Sequence, residues 1–157
     1  MEPIQFPIPP VVKTVTYPGT LDEAFERFTT GIARWWPLAT HSLGRAEQAV
    51  SVEFERLEVG AHLVERWRTG ETAIWGTIVA VDSPHRLSFT WHVGRAPDTA
   101  QRIEVSFDPA GEGATRITLV HSGWERLGDK AAAQRENYDD GWNEVLRRFV
   151  GPDADCG

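Results

Sequence analysis

From Val50 to His121 apolar and polar residues alternate with a period of two, interrupted at short intervals by turn-forming residues. Val50, Val52 and Phe54 alternate with Ser51, Glu53 and Glu55, and Glu58-Val59-Gly60 turns the chain. Leu63, Glu65 and Trp67 share the next face, ahead of a turn at Thr69-Gly70. Thr72 to Val81 is apolar on both faces, the pattern of a central strand. Asp82-Ser83-Pro84 leads to Leu87, Phe89 and Trp91, which alternate with Ser88, Thr90 and His92. Beyond Gly94 to Asp98, Ile103, Val105 and Phe107 share a face, and Pro109 to Gly113 turns into Thr115 to His121 with Ile117 and Leu119 inward. This pattern predicts six consecutive strands in an antiparallel meander.

The flanks follow other rules. The first ten residues hold four prolines and read as an extended lead-in, and Val11 to Tyr17 predicts a further strand, stopped by Pro18-Gly19. Thr20 suits an N-cap for a helix with Leu21, Ala24, Phe25 and Phe28 on one face and Asp22 and Glu23 in its first turn. A second short helix is expected over Gly31 to Trp36, ended by Pro37, followed by a loop to Glu47. At the C-terminus Ala131, Arg135, Tyr138, Trp142, Val145, Leu146 and Phe149 are spaced by helical steps into one broad stripe, with Gly151-Pro152 as a stop. Such a helix would be roughly 30 Å long, enough to cross the meander. Gly141 inside it costs about 1 kcal/mol relative to Ala, which close packing on the sheet would explain. The expected architecture is one α+β domain over residues 11–150, a lead-in over 1–10 and a flexible tail over 151–157.

Hairpin geometry gives a first picture of the interior. Pairing Phe54 with Glu65 sets Val52 against Trp67, pairing Trp67 with Trp75 turns Thr77 and Val79 inward, and Thr77 then meets Trp91 and Val79 meets Phe89. The last hairpin pairs Val105 with Leu119 and Ile103 with His121. Arg56, Glu65 and His121 then share the apolar surface. Buried charge is costly unless paired, so either Arg56 and Glu65 form a structural ion pair at a cavity rim, or Glu65 and His121 orient a ligand. Trp67, Trp75, Trp91 and Trp142 suit a bulky core or the lining of a cavity, and Trp35-Trp36-Pro37 suits a lid or a packed corner.

Composition narrows the classes. A chain of 157 residues with 41% hydrophobic and 25% charged residues is of one-domain size and globular in balance. A net charge of -7 with no basic stripe argues against nucleic acid. No apolar run is long enough to span a bilayer, and Met1-Glu2-Pro3-Ile4 does not resemble a signal peptide, which predicts a cytoplasmic protein. Cys156 has no second cysteine with which to form a disulfide or a zinc site. The histidines at 41, 62, 85, 92 and 121 form no helical pair, and His62 and His92 fall on outer strand faces. His121 and Ser122 point to opposite faces and make a poor nucleophile–base couple. There is no phosphate loop and no hydrolase motif, so no catalytic residue, metal or cofactor is assigned.

Several segments together resemble a known family: Glu65-Arg66-Trp67, Trp75-Gly76-Thr77-Ile78-Val79, Asp82-Ser83-Pro84-His85-Arg86-Leu87-Ser88-Phe89-Thr90-Trp91, Leu119-Val120-His121-Ser122-Gly123-Trp124-Glu125 and Tyr138-Asp139-Asp140-Gly141-Trp142. They are similar to the homologues of the C-terminal domain of the activator of the heat-shock-protein-90 ATPase, within the START-like or SRPBCC superfamily that includes the birch-pollen allergen and polyketide cyclases. The resemblance spans roughly residues 11–150. It implies a helix-grip fold: a curved seven-stranded antiparallel sheet with the first strand beside the last, two short helices after the first strand, and one long C-terminal helix across the sheet. The co-chaperone carries a further N-terminal domain, which a chain with a lead-in of about ten residues is not expected to contain.

The first functional expectation is non-catalytic binding of a small hydrophobic, aromatic or lipid-like molecule in the cavity between sheet and helix. Its expected lining is Trp36, Phe54, Glu65, Trp67, Trp75, Thr77, Phe89, Trp91, Ile103, Val105, Leu119, His121, Tyr138, Trp142 and Leu146. The alternatives are an interaction module for a chaperone or for a second copy of the chain, through strand edges or the Trp35-Trp36 region, and a cavity enzyme of cyclase, dehydratase or hydrolase type using Glu65 or His121.

Overall fold

The computed structural model describes residues 8–151. Residues 1–7 of the expected lead-in and residues 152–157 of the expected tail, Pro152 and Cys156 among them, lie outside the described residues. Seven strands, β1 (Val11–Tyr17), β2 (Ala49–Phe54), β3 (His62–Trp67), β4 (Thr72–Asp82), β5 (Arg86–Trp91), β6 (Gln101–Pro109) and β7 (Thr115–Ser122), form one antiparallel sheet in the order β1-β7-β6-β5-β4-β3-β2. The first strand thus closes on the last, and the meander supplies the rest. Helix α1 (Leu21–Phe28) begins with a full capping box: Thr20 Oγ1 accepts from the Glu23 amide and Glu23 Oε1 from the Thr20 amide. The second expected helix is a single 3-10 turn at Ile32–Arg34, and the expected loop contains one helical turn, α2 (Arg45–Gln48).

Helix α3 (Ala131–Val150) crosses the sheet and buries Ala131, Trp142, Val145, Leu146 and Phe149 against it. Gly151, at φ 102°, ends it in a backbone conformation that favours glycine. Two ties hold α3 in place. Arg27 of α1 donates to the carbonyls of Phe149 and Arg148, and Lys13 of β1 pairs with Asp139 at 2.8 Å. Arg135 donates to the carbonyls of Pro9 and Pro10, fastening the end of the lead-in to the helix.

The β6–β7 register matches the expected one, Ile103 opposite His121 and Val105 opposite Leu119. The other half of the sheet departs from simple alternation. Phe54 pairs with Leu63 and Val52 with Glu65, two residues from the expected register. Irregularities between Ala49 and Ser51, Leu63 and Val64, and Ile78 and Ala80 each shift the pleat. Such bulges bend a sheet and reverse which residues face inward. Val50 and Val79 are accordingly exposed, Thr77 leaves the core to bond His62, and Ile78 takes the buried place instead. With Ile74 exposed as well, β4 is not buried on both faces. Gly76 sits where β4 presses on β5, and a β-carbon there would overlap the Thr90 carbonyl oxygen.

The core is aromatic from end to end. At one end Phe25, Phe28, Trp35, Phe107 and Phe149 pack edge to face. Trp36 continues the chain of rings to Trp75, Trp91 and Trp142 at centroid distances of 5.3, 6.1 and 5.9 Å.

Candidate functional site

Glu65 organises the region where the sheet meets the first long loop. It is fully buried, and its two carboxylate oxygens accept four N–H groups: the amides of Leu43 and Gly44 at 2.9 and 2.7 Å, and the indoles of Trp67 and Trp75 at 2.6 and 3.0 Å. A carboxylate offers about four lone-pair sites, so its capacity is used in full. The expected ion pair with Arg56 does not form: β2 ends at Phe54, and Arg56, two residues beyond it, makes an exposed pair with Glu58. The loop after Trp36 is secured further by the Trp36 indole donating to the His41 carbonyl at 2.7 Å and by Ser42 Oγ donating to the Leu38 carbonyl at 2.6 Å.

Between this loop, the sheet and α3 lies a cavity of about 180 Å³, open on one side. Trp36, Trp75, Trp91 and Trp142 form its wall, Tyr138, Val93 and Val145 complete it, and Thr40, His41, Ser42 and Gly141 lie along it where loop and helix meet. Gly141 therefore faces the His41 ring, not the sheet: a β-carbon there would lie 3.8 Å from that ring. Trp36, Trp75, Trp91, Tyr138 and Trp142 of the expected lining are thus brought together. Phe54, Glu65, Trp67, Thr77, Phe89, Ile103, Val105, Leu119, His121 and Leu146 are not part of this wall. The residues that sequence reasoning missed come mainly from the loop, which has no periodicity to read. Gly141 did carry a signal, as a glycine costly to keep within a helix.

The wall contains two titratable groups, His41 and Tyr138. Burial holds His41 below its ordinary value, with Glu144 pulling upward and Arg45 downward, and its Nδ1 lies 2.7 Å from Thr40 Oγ1. Burial holds the Tyr138 hydroxyl above its ordinary value, opposed by the Trp91 indole and the charge of Arg95. His121 is buried behind the wall, its ring 4.1 Å from Trp124 and 5.0 Å from Tyr138. His92, expected in solvent, is largely buried next to the Arg95 carbonyl. Among the described residues no group of three His, Cys, Asp or Glu side chains could hold a metal ion. No helix described is long and apolar enough to cross a membrane.

The indole N–H groups set one residue apart. Trp35, Trp36, Trp67, Trp75, Trp124 and Trp142 each donate to an acceptor within the protein. Trp91 Nε1 is buried and has no hydrogen-bond partner of normal geometry.

A family model described as Activator of Hsp90 ATPase homolog 1-like protein matches residues 20–151. The chain belongs to this family. Within known structures the chain is similar to Txn09, an anthrahydroquino-gamma-pyrone synthase, at 32% identity over 92% of this chain and 96% of that one, with a TM-score of 0.61. It is also similar to CalC, a self-sacrificing resistance protein from Micromonospora echinospora, at 27% identity over 90% and 92% of the two chains, with a TM-score of 0.65. An HSP90 activator from Plasmodium falciparum shares the fold at 20% identity over 73% of each chain, with a TM-score of 0.50. No curated sequence matches the chain.

Proposed function

We propose that the protein binds a small aromatic molecule in the cavity between the sheet, the loop from Trp36 to Ser42 and α3. One observation carries this reading: four tryptophans surround about 180 Å³ that their own packing leaves empty. Protein interiors are otherwise close-packed, and aromatic faces without neighbours forfeit dispersion energy that an occupant restores. An apolar cavity of about 150 Å³ suffices for benzene, so this one takes an aromatic ring, with any remainder extending through the mouth. The similarity to a synthase named for an aromatic product supports the same class.

The test is isothermal titration with 1-naphthol, with decanoate as the aliphatic control, on the parent and on Gly141→Leu, which adds bulk to the cavity lining from the helix. Saturable naphthol binding that the variant weakens at least tenfold supports the reading. Absence of saturation, or equal binding by a folded variant, overturns it.

Catalysis within the same cavity is a second reading, favoured by His41. Its depressed pKa leaves the imidazole neutral at neutral pH, the state a general base requires. Mass spectrometry of naphthol analogues recovered after incubation separates the two readings. Unchanged ligand supports binding alone, whereas a product made by the parent and not by His41→Gln supports reaction.

A further inference from the structure

We propose that the Tyr138 hydroxyl donates a hydrogen bond to a neutral oxygen acceptor on the bound aromatic molecule, which makes Tyr138 the residue that separates oxygenated rings from hydrocarbons of the same shape. The inference rests on the aromatic-binding reading and names the polar contact that such binding uses.

Tyr138 stands on α3 in the cavity wall, its ring held among His121, Trp124 and Trp91 at centroid distances of 5.0, 5.6 and 6.2 Å. The Trp91 indole nitrogen is buried, and its polar neighbour is the Tyr138 hydroxyl. An indole N–H can only donate, so the phenolic oxygen takes the acceptor role in that pair. A hydroxyl that accepts on one side keeps its own proton for another partner. Among the described residues no protein group accepts the Tyr138 O–H, and its oxygen, unlike the Trp91 nitrogen, retains accessible surface. A ligand oxygen placed there completes the bonding of the hydroxyl, whereas a hydrocarbon that excluded solvent would leave the donor unpaired.

The surroundings narrow the class. The other hydroxyls of the wall are engaged, Thr40 Oγ1 with His41 and Ser42 Oγ with Leu38. At the Tyr138 hydroxyl, burial outweighs the Trp91 indole and the charge of Arg95 and holds the group above its ordinary value, so it is a protonated donor at neutral pH. The same desolvation acts on an ionised oxygen placed beside it, and no Lys or Arg lines the wall to offset that cost. A neutral carbonyl on the ring is the acceptor that fits, because it bonds at the ring edge and leaves the ring faces to the surrounding indoles.

The experiment titrates 1-tetralone and tetralin, which differ by one carbonyl, into the full chain and into Tyr138→Phe, which removes only the hydroxyl. The parent should bind tetralone about tenfold more tightly than tetralin, the contribution of one hydrogen bond. The variant should lose that preference while its affinity for tetralin stays as in the parent. If the variant does not fold, fluorine spectra of the parent carrying 3-fluorotyrosine replace it. The chain has two tyrosines, so the Tyr138 signal is assigned with Tyr17→Phe and should move with tetralone and not with tetralin. Equal binding of the two compounds by the parent, a preference that survives in Tyr138→Phe, or a Tyr138 signal that both compounds move alike overturns the role of Tyr138 and leaves aromatic binding standing. Failure of both compounds to bind the parent overturns both readings.

Discussion

Trp142 of α3 donates its indole N–H to Nδ1 of His121 on β7 at 3.0 Å, across the buried boundary between helix and sheet. Because Nδ1 accepts, the imidazole proton resides on Nε2, which faces Gln101 Oε1 at 3.2 Å. Burial pushes the pKa of His121 down to about 3. Protonation would also set an Nδ1–H against the Trp142 N–H, two donors with nothing to accept. The histidine that the sequence offered as a ligand anchor is therefore a neutral link fastening the gripping helix to the sheet.

That link makes stability depend on pH. The folded pKa of His121 lies near 3, below the value of about 6.5 for an unfolded chain, so the unfolded state takes up the proton first. The contribution of His121 is complete above pH 6.5 and is lost progressively as pH falls toward 3. Between pH 7 and 5, where most carboxylates do not yet titrate, the loss should be about 2 kcal/mol. Urea denaturation at the two pH values measures it, and His121→Gln should flatten the slope. An unchanged unfolding free energy over that interval would contradict the assignment.

Glu65→Gln should loosen the cavity loop. The amide replaces one acceptor oxygen with a donor that faces N–H groups, leaving buried donors unpaired at a cost of about 2–4 kcal/mol. Hydrogen exchange of the Leu43 and Gly44 amides, which Glu65 holds, should accelerate more than exchange in β6 and β7. Uniform acceleration across the sheet would mean that Glu65 supports the fold globally and not this loop in particular.

What the sequence revealed divides along the sheet. The β6–β7 hairpin was legible to the residue, because neither strand carries an irregularity and alternation propagates unbroken from the turn at Pro109 to Gly113. Bulges along β2, β3 and β4 reversed the pleat, which misplaced Val50, Thr77 and Val79, and an expected β2–β3 register two residues out brought Arg56 falsely toward Glu65. Tryptophan count and helical spacing marked Trp75, Trp91, Tyr138 and Trp142 as neighbours. The true partners of Glu65 could not be read: two of them are backbone amides more than twenty positions away, whose placement leaves no side-chain signature. His41 was hidden for the same reason, in a loop whose path is set by tertiary contacts.

Gly76→Ala should be among the most damaging single changes. The added β-carbon overlaps the Thr90 carbonyl oxygen, and backbone atoms of two paired strands cannot yield as a flexible side chain would. Overpacking of this kind costs about 1–3 kcal/mol or more. Urea denaturation or, failing soluble expression, the fraction recovered in the soluble cell extract measures the effect. Stability equal to the parent would show that β4 and β5 can separate locally without loss.

Gly141 allows the opposite test, in which a substitution improves the fold. It lies in a regular stretch of α3, and a β-carbon there would rest 3.8 Å from the His41 ring, an ordinary van der Waals distance. Gly141→Ala should therefore stabilise the protein by about 1 kcal/mol through helix propensity alone. Natural sequences often keep residues that are not the most stable, so binding must be measured beside stability. Thermal unfolding and naphthol titration of the same variant decide the matter. A higher melting temperature with weaker binding shows that Gly141 keeps cavity space free at the expense of the helix. A higher melting temperature with unchanged binding shows that ligand enters elsewhere along the wall.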